Sequence, residues 1–416
     1  MHSFNKIIAT ATLLFTSTLS ITGLSTASQA QLSHKANFKR SIQYSNSSEA
    51  KRGKSMDKLL VYIGTYTNNK GKGIYLYEMN QKTGALSLKS VAPSNNPSFL
   101  CISPNEKYLY AANEIGDYQG TKNGSVSAFS ITQDSGELLP LNVENSGGNG
   151  PCFIGIDNRS KNVLVAHYGN GIATVLPVKE DGSLGKVSSS DQHTGSSVNK
   201  ERQEGPHAHS IFLDAANKYA FSADLGLDKI LIYKFNSRKG TITPNDPPFA
   251  TVPPGSGPRH IAFHPNGKLA YVINEMTSTI TGFNYHSDKG SMDQIETVST
   301  LPAGFKGNSS TAEILIHPNG KFLYASNRGH DSITVYKIDK LTGQLAVIAH
   351  EPALVKTPRN FRIDPSGHFL LAAGQESDNV VVFKLNSTTG KLTPAGVSIE
   401  LPNPVCIKFL MMKSSP

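Results

Sequence analysis

Cysteine is scarce in this chain: Cys101, Cys152 and Cys406 are the only three in 416 residues. An odd number without close spacing argues against a zinc site or a disulfide framework. It leaves the three as small buried apolar side chains. No long stretch repeats its apolar residues at the 3.6-residue helical period, which turns the reading away from helical folds. No Gly-x-Ser-x-Gly elbow is present, so the usual serine-hydrolase nucleophile has no station. No phosphate-loop motif and no nucleic-acid motif occurs. His207-x-His209 has no clear carboxylate or cysteine partner, so no metal site is expected.

What the chain does have is a repeat. Residues 257–275 read GPRHIAFHPNGKLAYVINE. Two short apolar runs flank a Pro-Asn-Gly turn, which is a hairpin signal. The start of the first run and the end of the second then lie together, so Arg259 and Glu275 are expected side by side. Residues 313–328 (EILIHPNGKFLYASNR), 358–375 (PRNFRIDPSGHFLLAAGQ) and 97–114 (PSFLCISPNEKYLYAANE) repeat the pattern. Looser copies cover 151–168 and 206–225, and a half copy covers 404–410. Aligned on the turn, the first strands start at Ser98, Cys152, His209, Arg259, Ala312, Arg359 and Val405, about 46–57 residues apart. Repeats near this length with several strands each are the mark of a β-propeller. Seven starts predict an all-β, seven-bladed propeller.

The ends of the chain support closure. Residues 59–66 (LLVYIGTY) resemble a second strand with no first, and 405–410 (VCIKFL) a first strand with no second. Paired in one blade, the N- and C-terminal strands close the ring and leave no open edge. Third strands are expected at 73–77, 125–129, 229–235, 278–283, 332–338 and 379–385. Short outer strands should follow turns such as Thr83-Gly84, Thr342-Gly343 and Thr389-Gly390. The longest departure from the repeat is 188–205, a loop that contains His193, Lys200, Glu201 and Arg202, with a second at 113–124. Inserted loops in repeat proteins tend to mark the binding face.

Ahead of the propeller domain, 58–412, stand two other segments. Residues 1–30 have the pattern of a signal peptide: Lys6, an apolar core over 7–24, and Ser28-Gln29-Ala30 as a small-x-small cleavage site. Thr and Ser dilute the core, which makes it a poor membrane span, so no stable membrane insertion is expected. This predicts an exported protein, periplasmic or secreted; an uncleaved anchor and a cytoplasmic protein are the alternatives. Residues 31–57 read as a flexible tether rich in Ser and Asn. Much of the formal net charge of +9 gathers there, in Lys35, Lys39, Arg40, Lys51, Arg52 and Lys54. A solvated tail explains this cluster, and a surface-binding tether is the alternative.

Propeller geometry brings first-strand starts and second-strand ends to one mouth of the central channel. His209, Arg259 and Arg359 come from the starts. Glu114, Glu275 and Arg328 come from the ends, with Asn274 and Asn327 one residue before and His207 just ahead of His209. Arginines bind carboxylate or phosphate through paired hydrogen bonds. Glu275 or His209 can serve as a general base toward water, and an arginine or His207 can stabilise an oxyanion. The set suits an anionic small molecule and ester-type chemistry without a cofactor. Each residue also has a plainer reading. Arg259 and Glu275 can simply brace their hairpin, Arg362 can replace Arg359, and Glu114 can be structural. His264 and His317 share a turn slot with Asp157 and Asp364 and are read as structural.

The chain resembles the seven-bladed propeller lactonases, which include the bacterial propeller type of 6-phosphogluconolactonase and the fungal 3-carboxy-cis,cis-muconate lactonising enzyme. The resemblance covers about 59–410. Its carriers are Tyr62-Ile63-Gly64-Thr65-Tyr66, Gly205-Pro206-His207-Ala208-His209, Gly257-Pro258-Arg259-His260, Tyr271-Val272-Ile273-Asn274-Glu275, Ala312-Glu313-Ile314 and Ser326-Asn327-Arg328-Gly329. It implies a channel-mouth site of His209 (or His207), Arg259, Glu275 and Arg328. It also implies a lactone of a sugar acid or of aromatic-ring breakdown as substrate. Hydrolysis of an anionic sugar lactone is the leading expectation. A lactonising cycloisomerase and a non-catalytic exported propeller that binds carbohydrate or protein are the alternatives.

Overall fold

The computed structural model describes residues 57–68 and 70–413. The expected signal peptide, 1–30, and nearly all of the expected tether, 31–57, lie outside the described residues. Those residues form seven antiparallel four-stranded sheets and no helix. Blades are numbered here by their inner strands: Pro97–Ile102, Pro151–Ile156, Ala208–Leu213, Pro258–Phe263, Ser310–Ile316, Pro358–Ile363 and Pro404–Met412. Blade seven takes its inner strand from the C-terminus and its second strand, Lys58–Thr65, from the N-terminal end of the domain. Leu60 faces Leu410 and Ile63 faces Ile407 across that seam.

Second strands are buried on both faces, which explains their continuous apolar runs. Leu269–Asn274 and Phe369–Gly374 are buried along their whole length. Tyrosines in four of these strands tie blade to blade. The hydroxyls of Tyr62, Tyr110, Tyr271 and Tyr324 donate to the carbonyls of Gly136, Gly182, Gly343 and Gly390 at 2.7–2.9 Å. Each acceptor sits in an outer turn of the next blade and has a positive φ, a conformation that favours glycine. His264 and His317 make similar ties, to the carbonyls of Gly320 and Gly367.

The outer strands correct one expectation. Six of them run 8–11 residues, from Leu345–Pro352 at 8 to Thr241–Thr251 at 11. Only Ser189–Gln192 in blade two is short, at 4 residues. Their outward faces are wet, as in Leu392–Glu400, so polar residues hide their length from an apolar pattern.

The inner strands carry the feature that builds the site. Five of them open on proline, which donates no backbone hydrogen bond and suits a strand start. One residue later the pairing skips. Ser98, Cys152, His209, Arg259, Arg359 and Val405 each stand unpaired in a bulge, and blade five skips both Ala312 and Glu313. A bulge bends the strand and re-aims its extra side chain. The seven bulges therefore form a ring at one mouth of the channel, at the positions the repeat alignment takes as strand starts.

Candidate active site

Glu275 is the centre of that mouth. It follows the second strand of blade four, and its side chain is only 8% exposed. Arg259 Nε reaches Glu275 Oε2 at 3.2 Å, so the hairpin does bring the two together. Arg328 Nη2, at the end of the second strand of blade five, approaches the same oxygen at 2.9 Å. Arg202 Nη2 donates to Oε1 at 2.8 Å. His209 Nε2 stands 4.0 Å from Oε2. Three guanidiniums from three segments thus converge on one buried carboxylate, with an imidazole beside it.

The electrostatics follow from that packing. Burial alone would raise the pKa of Glu275, but Arg328, Arg259 and Arg202 outweigh it and hold the carboxyl at about 2. A carboxylate so bound is a poor proton acceptor at neutral pH. Its geometry suits it to hold the arginines in position. Burial, with Arg259, His260, Arg359 and Arg328 nearby, pushes His209 well below the usual imidazole value. It is therefore neutral at neutral pH, the form that can accept a proton. Burial and the neighbouring Arg328 and Arg359 push the Arg259 guanidinium down to about 10, which leaves it charged.

Not every donor is used within the cluster. Arg259 Nη1 donates to the Ala312 carbonyl, and Arg328 Nη2 to Thr311 O at 2.7 Å. Arg328 Nε is buried with no partner among the described residues. Beside this cluster lies a second one. Tyr66 OH donates to Glu114 Oε2 at 2.9 Å, and the Arg359 guanidinium carbon sits 5.5 Å from the Tyr66 ring centroid. Glu114, Arg359, Arg259 and Cys152 line one small cavity, so Arg359 and Glu114 do share the mouth.

Three predicted residues are placed elsewhere. His207 stacks on Tyr168 with centroids 4.6 Å apart, and its ring nitrogens meet Tyr168 O at 2.8 Å and Glu204 at 3.3 Å. It shapes the rim and does not reach Glu275. Asn274 is fully buried and donates to Thr279 and Thr281 at 2.9 Å each. Asn327 is fully buried too, bonded to Thr300, Ser332 and Thr334. These two amides brace strands within and between blades, because the residue before each strand end points into the sheet packing and not toward the mouth.

Sequence reasoning passed over Arg202 as a site residue, although it singled out its loop. That loop is pinned beneath. His193 Nδ1 meets Asp224 Oδ2 at 2.6 Å, and its Nε2 meets Tyr233 OH at 2.8 Å. Tyr233 OH also bonds Asp191 at 2.8 Å. Arg202 then reaches over Tyr168, donating to its hydroxyl at 3.1 Å. Also missed was a buried link below Arg259: His260 Nδ1 meets Glu313 Oε1 at 3.0 Å, and Asn360 donates to the other oxygen. A glutamate inside an otherwise apolar first strand was the available signal.

Comparison with known proteins gives concordant results. A family model described as "Lactonase, 7-bladed beta-propeller" matches residues 60–409. A 6-phosphogluconolactonase of Bacillus subtilis is 38% identical over 356 residues, which is 85% of this chain and 99% of that protein. Among solved structures, a putative 6-phosphogluconolactonase of Bacteroides fragilis superposes with a TM-score of 0.80 at 35% identity, over 85% of this chain and 98% of that one. A periplasmic gluconolactonase of Pseudomonas aeruginosa gives 0.79 at 30% identity, over 86% and 100%.

Proposed function

The chain belongs to the seven-bladed β-propeller lactonase family, and we propose that it hydrolyses an anionic sugar lactone at the Glu275 mouth, without a cofactor. Lactone hydrolysis of the 6-phosphogluconolactonase type is the activity that its relatives' names carry. The observation that supports it here is the convergence of Arg202, Arg259 and Arg328 on Glu275 beside the neutral imidazole of His209. Four arginines face two glutamates at this mouth, an excess that favours an anionic substrate.

In this reading Arg328 and Arg259, held in place by Glu275, present their remaining N–H groups to the substrate anion and to the carbonyl oxygen. His209 Nε2 takes a proton from water as the water oxygen bonds to the lactone carbonyl carbon. The tetrahedral oxyanion then collapses, the ring C–O bond breaks, and His209 returns the proton to the departing alkoxide oxygen. Burial suppresses the basicity of His209 most, and a bound anion offsets the further effect of Arg259, Arg359 and Arg328. Binding therefore prepares the base for its step.

We further propose, from the leader-like pattern of residues 1–30, that the protein acts outside the cytoplasm. The P. aeruginosa neighbour is named as periplasmic, which supports that reading. An exported enzyme does not meet phosphorylated lactone made in the cytoplasm, so the charge on its own substrate is the point to settle. The full chain should accelerate hydrolysis of 6-phosphogluconolactone, gluconolactone or both above the spontaneous rate. His209→Gln should lose that acceleration while keeping its melting temperature. No acceleration on either lactone refutes the proposal. Preference between the two decides whether the arginines read a phosphate. A mature N-terminus at Gln31 in a periplasmic or culture fraction would support export, and retention of residues 1–30 would oppose it.

A further inference from the structure

The inner strands build a second ring three residues beyond the bulges. Five of its seven positions are Cys, Gly, Phe, Ala or Leu. The other two, Arg362 and Lys408, come from the adjacent blades six and seven. Both line a cavity of about 580 Å³ at the far end of the channel from Glu275, and both also line a neighbouring cavity of about 470 Å³. Phe99, Phe153 and Phe212 line the larger one. Phe99 and Phe153 stack at 4.4 Å with His260 edge-on to both, and this aromatic layer separates the two ends of the channel.

Among the described residues neither cation makes an ion pair; Glu313, which lines the same cavity, is near enough to Lys408 to act on it through space but spends its hydrogen bonds elsewhere. Lys408 Nζ lies 4.3 Å from the Phe99 ring centroid. No hydrogen bond or ion pair among the described residues engages the Lys408 or Arg362 side chain. The carboxylates that line these cavities are already committed. Glu313 accepts from His260, from the Ile314 amide at 3.0 Å and from Asn360. Asp214 takes the Lys218 and Tyr219 amides and the Tyr285 hydroxyl. Asp364 takes the amides of Ser366, His368 and Phe369. Burial, with Arg362 nearby, pushes the Lys408 ammonium below its usual pKa, and Glu313 offsets only part of that. Converging cations beside an apolar aromatic wall, in a cavity of small-molecule size, describe a built site.

We propose that this end of the channel binds a small aromatic carboxylate or phosphate monoester, its anion between Lys408 and Arg362 and its ring against Phe99, Phe153 and Phe212. The site is separate from the Glu275 mouth and does not rest on the lactonase reading. The ring accounts for the apolar wall, and the charge for two cations that the fold leaves unpaired.

Calorimetric titration of the full chain with phenyl phosphate tests this, with inorganic phosphate and phenol as part-ligands. Phenyl phosphate should bind at least about tenfold more tightly than either part-ligand. Arg362→Gln and Lys408→Met should each weaken it by roughly tenfold or more, the scale of one charge-assisted hydrogen bond. Lys408→Arg should retain binding, as should Arg328→Met at the other mouth. If Lys408→Met fails to fold, Arg362→Gln, at a partly exposed position, decides alone. Absence of binding by the wild type overturns the proposal. So does loss in Arg328→Met with full affinity in Arg362→Gln, because the anion would then sit at the Glu275 mouth.

Discussion

The two ends of the channel hold similar charges in opposite states. At one, Arg202, Arg259 and Arg328 are buried to different degrees around Glu275 and ion-paired with it. At the other, Arg362 and Lys408 meet an aromatic wall and no free carboxylate. A paired cluster is rigid, and its geometry is set before a substrate arrives. An unpaired one costs stability until an anion enters. Inner strands contribute to both ends, Arg259 and Arg359 at the bulges and Arg362 and Lys408 three residues further on, while Glu275, Arg328 and Arg202 reach the first mouth from second strands and a loop.

The comparison breaks most visibly at Glu275. Glu275→Ala leaves Arg259 and Arg328 buried without their carboxylate. It should cost about 3–5 kcal/mol in denaturant unfolding and about a hundredfold or more in lactone turnover. A small loss of stability would mean that the cluster is solvated and not preorganised.

Acidification comes next. The folded pKa values of His167 and His260 are lowered to about 4 by burial, and that of His209 lies well below the usual value. The unfolded chain therefore takes up these protons first. The stability these groups contribute is complete above about pH 6.5 and is lost as pH falls toward 4, by about 1.4 kcal/mol per unit for each histidine. Glu275 holds on longer: its contribution is full above about 4.5 and fades only as pH falls toward about 2. The melting temperature should thus drop between pH 7 and 5, before carboxylates titrate. A flat profile there would show that the buried histidines are hydrated.

Arg202 sharpens the comparison within the paired mouth. Its side chain is 44% exposed, against 8% for Glu275. Arg202→Ala should lower the melting temperature only slightly, because Arg202 is half-exposed and Arg259 and Arg328 still pair with Glu275. It should raise KM for the anionic lactone about tenfold. The smallest effect has the opposite sign. Lys408→Met removes an unpaired cation from an apolar wall and should raise the melting temperature by about a degree or two. If it lowers it, Lys408 has a partner and the contrast between the ends fails.

The fold was legible because the turn and the strand length recur together. Pro-Asn-Gly or its relatives between two apolar runs marked each inner hairpin, and the unmatched runs at 59–66 and 405–410 announced the seam. Arg259 and Glu275 were legible as partners for the same reason: a hairpin of known length fixes which ends meet. Arg202 was not, since a loop without periodicity gives no register from which to place a side chain. Asn274 and Asn327 misled because strand alternation turns neighbours to opposite faces, and proximity in sequence to Glu275 and Arg328 says nothing of direction. The outer strands were underestimated because a half-wet strand shows its length only through alternation, which bulges interrupt.

The seam in blade seven has a temporal consequence. Lys58–Thr65 is made before every other strand of the propeller and finds its inner neighbour only in Pro404–Met412, made after all of them. Contacts of such separation form late and slowly. Until they do, the ring has a gap at blade seven, and blades one and six each lack a secured neighbour there. A chain that lacks Pro404–Met412 would be an open arc with sticky edges, not a slightly shorter enzyme. The last strand of the chain acts as the latch that separates a folding intermediate from a finished molecule.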